Sequence, residues 1–167
     1  MVNINNKRIL GRGATATIYE AEENGKKFAA KIFHDVKKID IKKIEAMIKN
    51  KPKKSSMKID GINYKQYAWP LKFTKNKDGQ INGFLMPLVD LSNSFSLDCY
   101  YDKVLFSKLK SANEVALTFK IAIAKNLATV VADLHKDKNY FIDLKPQNIR
   151  VARNACYYSF RLRWIFY

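Results

Sequence analysis

Residues 134–151 read LHKDKNYFIDLKPQNIRV: the end of an apolar helix, a polar loop, and a short run of branched residues. Within the loop, Asp143, Lys145 and Asn148 fall in the pattern D-L-K-P-x-N-I. Moving a phosphoryl group calls for a carboxylate to orient or deprotonate the attacking hydroxyl, a cation to offset charge on the transferring group, and an oxygen donor for magnesium. These three side chains are of those types. The chain beyond the loop differs in kind: residues 149–167 contain four arginines and neither aspartate nor glutamate.

Working back from the loop, Phe119, Ile123, Leu127, Val130 and Leu134 repeat at helical spacing, and Ser111 with Glu114 forms a capping box, so a helix is predicted from Ser111 to about Lys136. A short helix is expected near 101–109. Earlier still, KRILGRG, TATIYEAE and KFAAKIF alternate as three strands joined by a glycine turn and by the reversal at Asn24-Gly25. Ile41, Ile44 and Ile48 then mark a short amphipathic helix over 39–50, closed by Pro52. Residues 51–66, rich in lysine, read as an exposed connection. YAWPLKFT and INGFLMPLV flank Asp78-Gly79 as a hairpin, which brings the first lobe to five strands and one helix by about residue 90.

Gly11 and Gly13 stand at the turn between the first two strands. Glycines there let backbone amides approach phosphate oxygens, although a bare G-x-G also occurs in ordinary strand turns, and both readings stay open. Lys31 follows Gly11 by 20 positions, and period-2 alternation places it on one face with Ala29 and Phe33. Facing inward it needs an anion or a carboxylate; at an edge it would snorkel to solvent. Glu45 lies beside the isoleucine stripe of the short helix. It either turns inward to Lys31 or balances Lys42 or Lys49 at the surface.

An apolar share of 47% over 167 residues implies a folded core. The two cysteines, Cys99 and Cys156, have neither metal-ligand nor redox spacing, and are read as small buried or half-buried side chains in a reducing compartment. No apolar run reaches membrane-spanning length and the N-terminus lacks a signal core, so a cytoplasmic protein with no membrane contact is expected. A net charge of +16 favours polyanionic partners without choosing among them.

In order along the chain, these motifs resemble those of the protein kinase superfamily: GRGATATI the glycine-rich loop, FAAK the V-A-I-K strand, Glu45 the helix glutamate, FLMPLV the gatekeeper and hinge strand, and DLKPQNI the catalytic loop. AAKIFH, AWPL, GFLMP and AKNLATVVADLH are most similar to bacterial kinase-like proteins of the helix-hairpin-helix-associated group. No helix-hairpin-helix segment is visible, so a DNA role of that group does not carry over. The resemblance implies an α+β, protein kinase-like fold with ATP and Mg2+ as ligands. The five-stranded antiparallel lobe with its hinge would occupy residues 1–90, an incomplete helical lobe 91–151, and an atypical tail 152–167. It also implies roles. Asp143 is the catalytic base, Lys145 the charge stabiliser, and Asn148 a magnesium ligand. Lys31 anchors phosphate with Glu45 holding it. Gly11 and Gly13 contact phosphate, Ile18 and Ala29 line the adenine pocket, Met86 is the gatekeeper, and Leu88 lies among the hinge residues whose backbone meets the adenine.

The chain departs from that pattern in two places. Phe141 and Ile142 stand where the family has His-Arg before the aspartate, and no second magnesium-binding aspartate follows Asn148. The activation segment is missing as well. Two readings of the tail stand side by side: a reading frame or chain lost just after about Val151, or a genuine C-terminus forming a strand or helix against the lobe. The function implied is a Ser/Thr protein kinase-like transferase with little or no turnover and weak nucleotide binding. The alternative is an inactive binding module using the nine lysines of residues 37–58 on nucleic acid or an acidic protein. A helix as apolar as 111–136 with few partners also predicts self-association.

Overall fold

The computed structural model describes residues 3–54, 56–59, 62–65, 67–88, 94–102, 104–105, 117–140, 144–152 and 160–162, and within them the protein is α+β. The chain divides into two units, one of Met1–Lys51 with Ala68–Val89, the other of Pro52–Tyr67 with Asp90–Tyr167.

The first unit holds strands β1 (Asn3–Arg12), β2 (Ala16–Glu23) and β3 (Lys26–Phe33), helix α1 (Ile41–Lys49), and, beyond the strands β4 (Ser56–Ile59) and β5 (Ile62–Lys65) of the second unit, strands β6 (Lys72–Lys75) and β7 (Ile81–Pro87). Its sheet runs β1-β2-β3-β7-β6, antiparallel throughout. The β2–β3 reversal takes positive φ at Asn24 (51°) and Gly25 (70°), the left-handed pair that matches strand twist. At the β6–β7 reversal Gly79 has φ 80°, and the Asn76 side-chain oxygen accepts from the backbone N–H of Asp78 (3.1 Å) and Gln80 (2.9 Å). Ala21, Ala30 and Leu85 close the core on one face of the sheet, with Ile4, Phe28 and Ile32 packed around them.

Helix α1 starts where Asp40 accepts from the Lys43 N–H at 3.0 Å and stops where Asn50 donates to the Ala46 carbonyl at 2.9 Å. Its buried residues are Ile44 and Met47, whereas Ile41 is exposed, so the inward face is rotated from the isoleucine stripe expected of the sequence. Trp69 helps fix that rotation by donating its indole N–H to the Met47 carbonyl at 2.7 Å.

In the second unit, β4 and β5 pair as an antiparallel hairpin, where the sequence suggested an exposed connection. The lysines hid a period-2 pattern, SMKI and INYK, on either side of an Asp60-Gly61 dipeptide. Next come β8 (Ser94–Ser96), a 3-10 turn at Leu97–Tyr100, helix α2 (Leu117–Lys136), a 3-10 turn at Pro146–Asn148, β9 (Ile149–Ala152) and β10 (Phe160–Leu162). The order β10-β9-β8 is antiparallel, so residues 160–162 of the tail form a strand. The Ser111–Glu114 capping box and most of the helix expected at 101–109 lie outside the described residues.

Phe119, Ile123, Val130 and Leu134 of the predicted stripe are buried, Leu127 is half-buried, and Phe119 stacks on Tyr100 with ring centroids 5.5 Å apart. Cys99 is buried as expected, and Cys156 lies outside the described residues. Lys54 pairs with Asp133 at 3.2 Å, and the Lys53 N–H donates to the Asp137 carboxylate at 2.8 Å, which fastens the start of this unit to the last turn of α2. Burial, with Asp133 and Asp137 nearby, raises the Tyr67 phenol above its ordinary range and keeps it neutral. Among the described residues no helix is long and apolar enough to cross a membrane.

Helix α2 ends in a Schellman motif. Asn139 N–H donates to Leu134 O (3.0 Å) and Lys138 N–H to His135 O (2.9 Å), with Lys138 itself left-handed at φ 58°. A non-glycine residue in that conformation costs about 1–2 kcal/mol. Lys138→Gly is therefore expected to stabilise the protein by about 1 kcal/mol, less the added freedom of the unfolded chain, read as a higher midpoint in urea with an unchanged slope.

Candidate functional site

In the first unit, antiparallel pairing sets the site by register. Ile18 faces Lys31 across β2–β3, Lys31 faces Phe84 across β3–β7, and Ala29 faces Met86. Directly opposed and alternate residues share a face, so Ile18, Ala29, Lys31, Phe84 and Met86 are on the same side of the sheet. That side is opposite to the one carrying the Ala30–Leu85 core. Ala29, Lys31, Phe84 and Met86 are all buried, and Ile18 is half-buried. Leu88 follows the end of β7 and is half-buried.

Lys31 is 7% exposed on a strand flanked by β2 and β7, which removes the edge-lysine reading. Its Nζ lies 4.8 Å from the Phe33 ring centroid and 5.7 Å from that of Phe84. The two rings are 6.2 Å apart and tilted by 59°, a cation–π seat for the ammonium. Phe84 was not singled out from the sequence. Its signal is the period-2 alternation along β7, which puts it on the same face as Met86, the residue two positions on that the family resemblance picked out.

The expected pairing of Lys31 with Glu45 is not made. Glu45 is half exposed and pairs with Lys49 at 3.3 Å, one helical turn on. The cause is the rotation of α1: with Ile44 and Met47 inward, position 45 lies about 100° around the helix from Ile44, toward solvent. The surface pairing, the other possibility the sequence held for Glu45, is the one observed.

At the glycine turn, Gly11 faces Ile18 one residue before the end of β1, and Gly13 donates its N–H to the Ala16 carbonyl at 2.9 Å. A Cβ built on Gly13 would meet nothing nearer than 3.6 Å, and its φ is not positive, so the fold itself does not require glycine there. The backbone amides of Ala14 and Thr15, at the exposed tip, make no hydrogen bond among the described residues. Because the Gly13 amide is engaged within the turn, the donors the tip offers to an anion belong to the next two residues.

In the second unit, Asp143 lies outside the described residues, as do Phe141 and Ile142. Lys145 is exposed and caps the 3-10 turn Pro146–Asn148; the Asn148 N–H closes the turn on the Lys145 carbonyl at 2.9 Å. Proline at the first position needs no hydrogen-bond donor and presets the turn's φ. Asn148 is buried at 4% exposure, directly before β9. The D-L-K-P-x-N spacing thus puts Lys145 and Asn148 at the two ends of one tight turn. Among the described residues no group of three or more His, Cys, Asp and Glu side chains is arranged to hold a metal ion. Of the described side chains in the motif, Gln147 and Asn148 each carry an amide oxygen, a ligand type that magnesium accepts; Asn148 is the buried one and Gln147 is exposed.

The chain matches no family model and no curated protein.

Proposed function

We propose that the protein is a kinase-like nucleotide-binding protein that takes ATP with magnesium. Its substrate in this reading is a Ser/Thr-bearing protein, and its turnover is very low or nil. The observation that carries the reading is the single sheet face holding Ile18, Ala29 and Met86 beside a buried lysine on an aromatic seat. Small and apolar residues suit a purine ring, a buried ammonium suits phosphate, and the tip amides of Ala14 and Thr15 add neutral donors.

In this reading Lys31 anchors phosphate and Leu88 belongs to the backbone that meets the adenine. Asp143 takes the proton of the attacking hydroxyl, Lys145 offsets phosphoryl charge, and Asn148 would hold the magnesium. The metal supplies charge neutralisation of the phosphates. Low turnover fits two observations: residues 149–167 hold no carboxylate to share the magnesium with Asn148, and Glu45 is committed to Lys49 instead of Lys31. A reading as a polyanion-binding module ranks lower, because within the lysine-rich stretch Lys38, Lys49 and Lys54 are already paired with Asp35, Glu45 and Asp133.

The test is a thermal-shift titration with Mg·ATP on the wild-type chain and on Lys31→Met. Methionine is of similar length and keeps a favourable sulfur contact with Phe33 and Phe84, so the variant is expected to fold. At ATP concentrations 100 times Kd the wild type is expected to gain about 2.7 kcal/mol, a rise of roughly 5–10 °C that requires magnesium and that the variant loses. No shift in the wild type would overturn the proposal.

A further inference from the structure

His34 follows the last residue of β3 and makes three hydrogen bonds to the turn between β1 and β2. Its backbone N–H donates to the Thr15 carbonyl at 3.0 Å. Its ring spans the turn, with Nδ1 3.2 Å from the Ala14 carbonyl oxygen and Nε2 2.9 Å from Thr17 Oγ1. A carbonyl oxygen only accepts, so Nδ1 carries the proton; Nε2 of the neutral ring is then the acceptor, and the buried Thr17 hydroxyl donates to it. The two ring bonds leave in the plane of the rigid imidazole from its opposite edges and hold Ala14 and Thr17 at a fixed separation. With Gly13 N–H on Ala16 O, each residue from 13 to 17 is tied either within the turn or to His34.

That turn is where the amides of Ala14 and Thr15 stand exposed, at a position where the fold does not itself require glycine. We infer that His34 is a positioning residue for anion binding. It holds the tip so that the Ala14 and Thr15 amides are presented to a nucleotide's phosphates before the ligand arrives. The role rests on the nucleotide reading of the site. Residues ordered in advance do not subtract their ordering entropy from binding, and fixing one or two residues corresponds to about one to two decades in affinity.

The experiment measures backbone 15N relaxation and calorimetric Mg·ATP affinity on the full chain for the wild type, His34→Ala, His34→Asn and Thr17→Val. The asparagine amide nitrogen reaches the Nδ1 position and keeps the bond to Ala14 while losing the one to Thr17. In His34→Ala the order parameters of the Ala14 and Thr15 amides are expected to fall from about 0.85 to below about 0.6, with those of Ala30 and Leu85 unchanged. Mg·ATP affinity should fall about 10- to 100-fold with them. His34→Asn should restore most of both, and Thr17→Val should lose about 3-fold in affinity. Unchanged order at Ala14 and Thr15, or lowered order with unchanged affinity, overturns the inference. Should His34→Ala fail to fold, Thr17→Val decides by the same two criteria. A wild-type chain that binds no Mg·ATP overturns the nucleotide reading and this role together, and the order parameters then report on the brace separately.

Discussion

Gly83→Ala is expected to abolish cooperative folding of the first unit. Gly83 sits in β7 opposite Ile32, and a Cβ placed there would lie 2.0 Å from the Lys31 carbonyl oxygen, 3.0 Å from its carbonyl carbon and 3.1 Å from Ile32 Cα. All three are backbone atoms, so no side chain can swing aside. The φ at Gly83 is not positive; glycine is needed for the close approach of the two strands, not for conformational freedom. Relieving the clash means moving β3, which is flanked by β2 and β7 and carries both core Ala30 and Lys31. A cost of about 4 kcal/mol or more takes most of the stability of an ordinary domain. Circular dichroism should show loss of the cooperative thermal transition, and Mg·ATP should produce no shift, since the displaced carbonyl is that of Lys31 itself. A midpoint within about 2 °C of wild type would show that β3 and β7 have room for a methyl group.

The first sheet was legible because its signals are local. Strand alternation and the two reversals at Asn24-Gly25 and Asp78-Gly79 each occupy a few residues, and the five strands they delimit are the five observed. Ile18, Ala29 and Met86 were picked out through a family resemblance, and period-2 geometry independently puts them on one face. The orientation of α1 was not legible. Ile41, Ile44 and Ile48 define an apolar arc, but Met47 falls within reach of the same arc, and the choice between them depends on long-range contacts such as the bond from Trp69 to the Met47 carbonyl. The choice the sequence left open for Glu45, Lys31 or a surface lysine, turns on the same rotation. The β4–β5 hairpin was missed for another reason: one lysine in each strand, Lys58 and Lys65, lowers apparent strand propensity without disturbing the alternation beneath it.

Leu134→Ala tests the second unit in the same way. Leu134 is fully buried, and its carbonyl accepts from both Asp137 N–H and Asn139 N–H at 3.0 Å, so the residue fills the core with its side chain and closes the helix with its backbone. The substitution leaves the backbone bonds and removes the side chain, which costs about 2–5 kcal/mol depending on how far the cavity collapses. At the scale of a unit of this size that lowers the melting temperature by roughly 10 °C or more. The rest of α2 grades the effect. Leu127, half-buried, should cost less when truncated, and Ile121, 58% exposed, should change stability by no more than about 0.5 kcal/mol. The order Leu134, Leu127, Ile121 in loss of stability is therefore a direct reading of which face of α2 is inward. A large cost at Ile121 would mean that the exposed face, with Leu117 and Ile121 one turn apart, is covered in solution. In that case the loss would depend on protein concentration, because an apolar surface covered by a second molecule is stabilised by mass action, whereas the cavity at Leu134 is not.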